Sequence, residues 1–400
     1  MAVCIRIVLI SGVQWTNDSD SRDYHVLAQN ILQHGEYKQE YHGETEAFNG
    51  FTFRAYRMPG YPIVLAGLYK VSGWDPTIAL YFNVLLEQLS MLAIVFLGRR
   101  LFSDATALIA QAFYAVYLLF CPMLLTETLF TTLSLWCLVL LSRRIDCPGK
   151  AIAAGLLAAV TIFVRPIGLA LFLPALVSVT GAKELSRKAA ALMLVLFALP
   201  AVLAVSAWTV RNYRIFGEFV PFSTNLGTHI AHDFGLKELE LFGKYRAQGK
   251  NEAQINRAIL DDVGKKISAD PGLLFTVMGE RFLGLLSTKP NWDIRDFYSK
   301  GFCTGAVNAW AVYEISFDFY RRLMPLGWIG LIVWLIRKRK LGIPETYLAA
   351  TLGLHMMLSE GNIRFAAPLY PLLCLYGADL VALSAMAIAR RLPFLHESGK

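Results

Sequence analysis

The stretch NVLLEQLSMLAIVFLGRRLF, Asn83–Phe102, decides the architecture. One charged residue, Glu87, interrupts its apolar run, and Arg99 and Arg100 close it. As part of a longer helix it crosses a hydrocarbon layer of about 30 Å. Paired arginines just past such a run are the mark of a helix end facing the cytoplasm. The rest of the chain repeats the pattern. Of the 400 residues, 56% are hydrophobic and 17% charged, against about a quarter charged in soluble domains, and the mean hydropathy is positive. These values exclude an ordinary soluble domain and predict an all-α, polytopic membrane protein.

Candidate spans cover about 2–15, 76–98, 105–121, 124–142, 150–164, 166–182, 189–209, 322–336, 343–359 and 365–389. Basic clusters follow alternate spans: Arg99-Arg100, Arg143-Arg144 with Lys150, Lys183 with Arg187-Lys188, Arg337-Lys338-Arg339-Lys340, and Arg390-Arg391. With the N-terminus inside, every cluster falls on the cytoplasmic side. The net charge of +8 therefore orients the chain in a bilayer, and no nucleic-acid partner is expected. Cys4, Cys121, Cys137 and Cys374 lie in or beside apolar runs, without zinc-type spacing, so neither a metal knuckle nor a disulfide framework is expected. No small-residue cleavage site marks a leader in 1–14. The first candidate span is short, which puts the expected start upstream.

This topology divides the chain into an N-terminal transmembrane module (1–209, with an external loop at about 16–75), an external helical or mixed segment (210–321), C-terminal transmembrane helices (322–391) and a cytoplasmic tail (392–400). Within the first loop, residues 60–72 follow "MPGYP" and contain Lys70, which suits an interfacial or re-entrant helix better than a span.

The same topology sorts the polar residues near span ends. Asp18, Asp20 and Asp23 follow the first span, and Arg57 precedes Pro59. Glu127 opens the fourth span, Arg165 separates the fifth from the sixth, Arg211 and Arg214 follow the seventh, and Glu360 and Arg364 join the ninth to the tenth. All fall on the external side. Ionisable groups near hydrocarbon pair with one another or line a wet cavity. Plainer readings stand beside this one. The arginines suit snorkelling to headgroups, Glu127 and Asp20 suit helix starts, and Asp18 and Asp23 suit solvated loop charges. Among the external aromatics, Tyr24 and Tyr61 suit stacking on a sugar face or an interfacial belt.

In sequence order, "DSRDYHVLAQNILQHGEY", "YRMPGYPIVLAGLY", "LLTETLF", "FVRPIG", "WTVRNYRIFGEFVPFSTNLG" and "IRFAAPLYPLL" resemble the GT-C-fold, polyprenyl-phosphate-sugar-dependent glycosyltransferases of the protein-mannosyltransferase and aminoarabinose-transferase type. The resemblance implies a GT-C bundle whose first external loop carries an acidic motif, here Asp18-Ser19-Asp20, with Asp20 as the catalytic carboxylate and Glu127 as the second acid opposite it. It implies donor-phosphate contacts at Arg165, Arg211 and Arg364, to which Arg57 is added by its position. Asp18, Asp20 and Glu127 form a candidate metal or acceptor site, with Tyr24, Tyr61 and Glu360 as further candidates. Metal use varies across the family, so a divalent ion is one expectation and a metal-free site the other. Larger members add spans or a soluble domain, and this departure leaves the acceptor (lipid, polysaccharide or protein) open.

The expected activity is transfer of a sugar from a polyprenyl-phosphate donor, with inversion, at the outer face of a bacterial cytoplasmic membrane. Two rivals differ in class. A transporter or flippase of an anionic lipid or solute needs charges at mid-span, and only Arg6 and Glu87 qualify. A non-catalytic assembly subunit would have lost the acids, and Asp20 and Glu127 are present.

Overall fold

The computed structural model describes residues 2–11, 19–43, 45–287, 309–358 and 363–391. Asp18, Glu360 and the expected tail at 392–400 lie outside them. The chain is helical apart from a two-residue antiparallel ladder, in which Gln39 faces Phe53 and Glu40 faces Thr52. Four helices are long and apolar enough to cross a membrane: Thr77–Leu101, Arg187–Phe216, Trp310–Lys338 and Tyr370–Ala389. Shorter apolar helices fill the space between them. With the leucine and valine side chains that Arg187–Phe216 leaves uncovered, such as Leu192, Val195 and Leu203, the chain is a polytopic α-helical membrane protein.

We label the helices in chain order: α1 (Ala2–Ser11), α2 (Ser19–His34), α3 (Gly60–Ser72), α4 (Thr77–Leu101), α5 (Asp104–Ala115), α6 (Thr126–Ser142), α7 (Pro148–Val164), α8 (Phe172–Thr180), α9 (Arg187–Phe216), α10 (Leu226–Ala231), α11 (Glu238–Ala247), α12 (Glu252–Ala269), α13 (Gly272–Leu286), α14 (Ala309–Lys338), α15 (Ile343–Leu358), α16 (Ile363–Ala366) and α17 (Tyr370–Arg391). A 3-10 turn, Pro166–Leu171, leads into α8. Helices α14 and α17 pack closely, as do α7 and α9. Glycine permits both approaches. A Cβ on Gly330 of α14 would run into the Tyr376 carbonyl of α17, and one on Gly155 of α7 into the Phe197 carbonyl of α9. Small residues at such crossings let backbones meet where lipid supplies no hydrophobic drive.

The helix predicted at 105–121 stops at Ala115, and 116–125 runs as irregular backbone. Pro122 contributes, since it cannot sit inside a helix without removing a bond. Non-helical backbone at this depth survives only when protein groups satisfy it. Asn83 Nδ2 donates to the carbonyls of Cys121 and Met123 at 3.2 and 2.9 Å. Ser316 accepts from the Leu118 N–H at 2.9 Å. Arg6 donates to the carbonyls of Ala115 and Tyr117 at 3.0 and 3.1 Å. Arg6 also pairs with Glu87 at 3.1 Å, both side chains being buried. The two mid-span charges thus hold each other and a broken helix.

Between α9 and α14, helices α10–α13 build a second core around Ile230, Phe234, Phe242, Ile255, Ile259, Val263 and Val277. Phe53 of the first loop belongs to this core, with Phe48 and Phe51 packed on it. The two long inter-span segments therefore pack against each other. Arg281 of α13 fastens this unit to the helical bundle: it pairs with Asp233 at 2.8 Å and donates to the Met356 and Met357 carbonyls at the end of α15 at 3.1 and 2.9 Å.

Candidate active site

Four chain breaks bring charges to one place. Asp20 lies in the first turn of α2, and Asp23 one turn on. Gly35, at a φ of 65°, ends that helix, and the loop returns Arg57 to its start. Glu127 lies in the first turn of α6. Arg165 ends α7 in extended backbone because Pro166 follows. Arg364 sits in the short α16 between two apolar helices.

The charges form an alternating chain. Asp23 Oδ2 accepts from Arg57 Nη2 and Nε at 2.8 and 3.0 Å, and Arg57 Nη2 also donates to Asp20 Oδ1. Asp20 Oδ2 meets Arg364 Nη2 at 2.6 Å, and Arg364 Nε donates to Glu127 Oε1. Arg165 Nη1 stands 3.2 Å from the same Glu127 oxygen but off the line of a hydrogen bond, so this buried N–H has no acceptor among the described residues. Among the described residues, three carboxylates thus balance three guanidinium groups. Burial by itself would raise the Asp20 carboxyl. Arg57 and then Arg364 outweigh it and hold Asp20 well below the usual carboxylate range. For Asp23 burial wins: with the charge of Asp20 it pushes the carboxyl up against Arg57. Gln39 Nε2, donating to Asp23 Oδ1 at 2.6 Å, fixes that second acid.

This set floors a cavity of about 860 Å³ lined by Asp20, Tyr24, Arg57, Arg165 and Arg364. Glu127 is only 1% exposed and supports Arg165 and Arg364 from beneath. The remaining walls come from Val164, Leu354 and Phe365 of the helical bundle and from residues 218–229 and 253–260 of the second core.

Not every expected residue reaches the cavity. Arg211 donates to the carbonyls of Arg54 and Tyr37 at 2.6 and 2.8 Å, lies 4.7 Å over the Trp208 ring, and does not line the cavity. The extension of α9 past the apolar stretch turns it toward the first loop, so it shapes that loop. Tyr61 is buried edge-on against Tyr24 at 5.1 Å, without reaching the cavity. Tyr24 does line it. Sequence reasoning passed over Asp23 as a loop charge; its spacing of three from Asp20 on one helix was the available signal. It also missed Gln39, His229 and His355, which carry no local motif.

Among the described residues no group of three or more His, Cys, Asp or Glu could hold an ion, and Asp20 and Glu127 are both engaged by Arg364. Asp18, the third member of the expected metal set, lies outside the described residues, and no step below uses a metal ion.

Fold and site together define a class: an α-helical membrane protein with the GT-C fold, its charged site at one end of the bundle. Two comparisons with solved structures, both archaeal, support the fold. The apo oligosaccharyltransferase of Archaeoglobus fulgidus matches with a TM-score of 0.55 at 15% identity, over 98% of this chain and 50% of that one. The archaeal oligosaccharyltransferase AglB from the same organism, in complex with an inhibitory peptide and a dolichol-phosphate, matches with a TM-score of 0.51 at 14% identity, over 100% and 51%. ArnT from Cupriavidus metallidurans bound to undecaprenyl phosphate matches at 12% identity over 97% and 77%, with a TM-score of 0.43. The chain spans about half the length of the archaeal structures it matches. No protein-family model and no curated protein matches it.

Proposed function

We propose that the protein is a membrane glycosyltransferase that moves a sugar from a polyprenyl-phosphate donor to an acceptor, with Asp20 as general base and Arg57, Arg165 and Arg364 as the seat of the donor phosphate. One observation carries this reading: Arg364 joins Asp20 to Glu127 on the floor of a cavity with an otherwise largely apolar lining. Guanidinium forks suit phosphate oxygens, and the uncommitted N–H of Arg165 supplies a donor. The apolar walls suit the first part of a polyprenyl chain. The archaeal relative's complex with dolichol-phosphate agrees with this donor class.

In the displacement, the acceptor hydroxyl attacks the anomeric carbon, the bond from that carbon to the phosphate oxygen breaks, and the electron pair leaves on the phosphate. Asp20 takes the hydroxyl proton, and the arginines hold the charge gained by the leaving phosphate. An attack opposite the departing oxygen inverts the anomeric centre. Paired with two guanidinium groups, Asp20 is a weak base. A donor phosphate that draws Arg364 toward itself would raise the basicity of Asp20 as the substrate arrives. The site then faces the periplasm of a bacterium, opposite the basic clusters. The acceptor is a lipid, a polysaccharide or a protein.

The test is transfer from a lipid-linked donor in membranes. Asp20→Asn is expected to lower turnover by about 10²–10⁴-fold, the worth of a general base, while the protein still binds undecaprenyl phosphate. Wild-type turnover in that variant removes Asp20 from the mechanism.

A further inference from the structure

The cavity has two chemically unlike halves. Besides the ionic floor, the cavity is lined by a wall from α10, α12 and the segment before them, in which Asn225, His229 and Asn256 face the space. Its two charged side chains among the described residues, Glu218 and Arg257, pair with each other at 3.1 Å. Both amide oxygens are committed. Asn256 Oδ1 accepts from the Gly227 N–H at 2.6 Å, and Asn225 Oδ1 accepts from Ser223 Oγ at 2.6 Å. That orientation leaves the amide N–H₂ groups as donors, with no acceptor for either among the described residues. Gly227 makes the arrangement possible: a Cβ there would lie 2.7 Å from the Asn256 carbonyl oxygen, so only glycine lets α10 approach α12 this closely. His229 is within electrostatic reach of Asp20 across the cavity.

We propose that Asn225, His229 and Asn256 form the subsite for the hydroxyl groups of the donor's sugar, and that this sugar is uncharged. The inference rests on the arginine floor being the phosphate seat. A sugar bonded to that phosphate occupies the same enclosed space, with its ring between floor and wall. Amide donors and an imidazole match hydroxyl oxygens, whereas an amino sugar would meet two N–H₂ groups and, among the described residues of this wall, no carboxylate other than the paired Glu218. Sugar specificity then belongs to the second core, and phosphate binding to the loop and helix ends.

The experiment measures binding of bare undecaprenyl phosphate, of undecaprenyl-phosphate mannose and glucose, and of the aminoarabinose-loaded carrier to the full chain in lipid nanodiscs. The wild type should bind a neutral loaded carrier about tenfold more tightly than the bare one. Asn256→Ala and His229→Ala should each erase that advantage and leave bare-carrier affinity unchanged, while Arg364→Gln weakens all of them. The proposal is overturned if neither neutral sugar adds affinity, if the amino sugar binds best, or if both wall variants bind the loaded carriers as the wild type does. A wild type that does not bind the bare carrier sinks the phosphate seat itself, and this inference with it.

Discussion

At the scale of the residue, Arg364 holds the site together. It is 13% exposed and neutralises two acids from distant parts of the chain, Asp20 and Glu127. Removing one member of a buried ion pair leaves uncompensated charge and costs about 3–5 kcal/mol. Residual solvent access to Asp20 puts Arg364→Gln near the lower end, which thermal unfolding in detergent measures. An unchanged Tm would mean that water, not Arg364, solvates these acids. The depressed Asp20 carboxyl has a definite pH consequence. A folded pKa below the unfolded value gives stabilisation that is present above the ordinary carboxylate range and lost only as pH falls through the lowered value. Asp20 therefore stays ionised throughout the ordinary carboxylate range and above it. Asp20 and Arg57 were legible from their place beside apolar runs. Asp23 was legible only as a neighbour of Asp20 on one helix; that the loop buries it beside Arg57 is visible only in the fold.

Among the elements, hydropathy located helices better than it located their ends. Helix α9 continues seven residues beyond the predicted limit at 209, to Phe216, because a helix stops at a cap and not where its polarity changes. Gly217, at a φ of 69°, is that cap. Helix α14 begins at Ala309, well before the predicted 322. Tyr313, Phe317 and Tyr320 stack along one of its faces, a helical spacing that a search for apolar runs overlooks. At the start of α12, Glu252 ties the second core to the first loop. It accepts from the Arg54 and Ala55 N–H groups at 2.6 and 3.2 Å and from the Thr224 hydroxyl. Burial pushes its carboxyl up to about 7, despite these bonds and the charge of Arg211. The folded form then binds the proton more tightly than the unfolded chain. Glu252 contributes its full stabilisation below about pH 4.5 and loses it as pH rises to about 7, at most about 3 kcal/mol. Glu252→Gln should flatten that part of the stability–pH curve, read by thermal unfolding at a series of pH values. A slope equal to that of the wild type would mean that Glu252 does not titrate there.

For the whole molecule, helix direction separates two ends. Helix α6 starts at Glu127 in the site and finishes beside Arg143, while α7 runs from Pro148 back to Arg165 in the site. Arg100 donating to the Ser142 carbonyl at 2.8 Å places the end of α4 at the basic end as well. Cysteines introduced at positions 257 and 339 should therefore react with a membrane-impermeant maleimide from opposite sides of sealed vesicles. Labelling of both from one side would overturn the topology, and with it a site facing away from the cytoplasm.

Amino-acid order alone determined that the chain is helical and membrane-embedded, which segments are apolar, and which charges sit at helix ends, because these follow from local hydropathy, proline placement and the cost of charge near hydrocarbon. Only the tertiary structure decided which charges meet. Arg364 reaches both acids, Arg211 turns to the first loop, Arg6 finds Glu87, and amide and imidazole side chains from α10, α12 and the segment before them line the same cavity as the ionic floor. Those pairings depend on crossings between segments far apart in the chain, set by close contacts such as Gly227 on Asn256 and Gly330 on Tyr376, and no local pattern encodes which segments will cross.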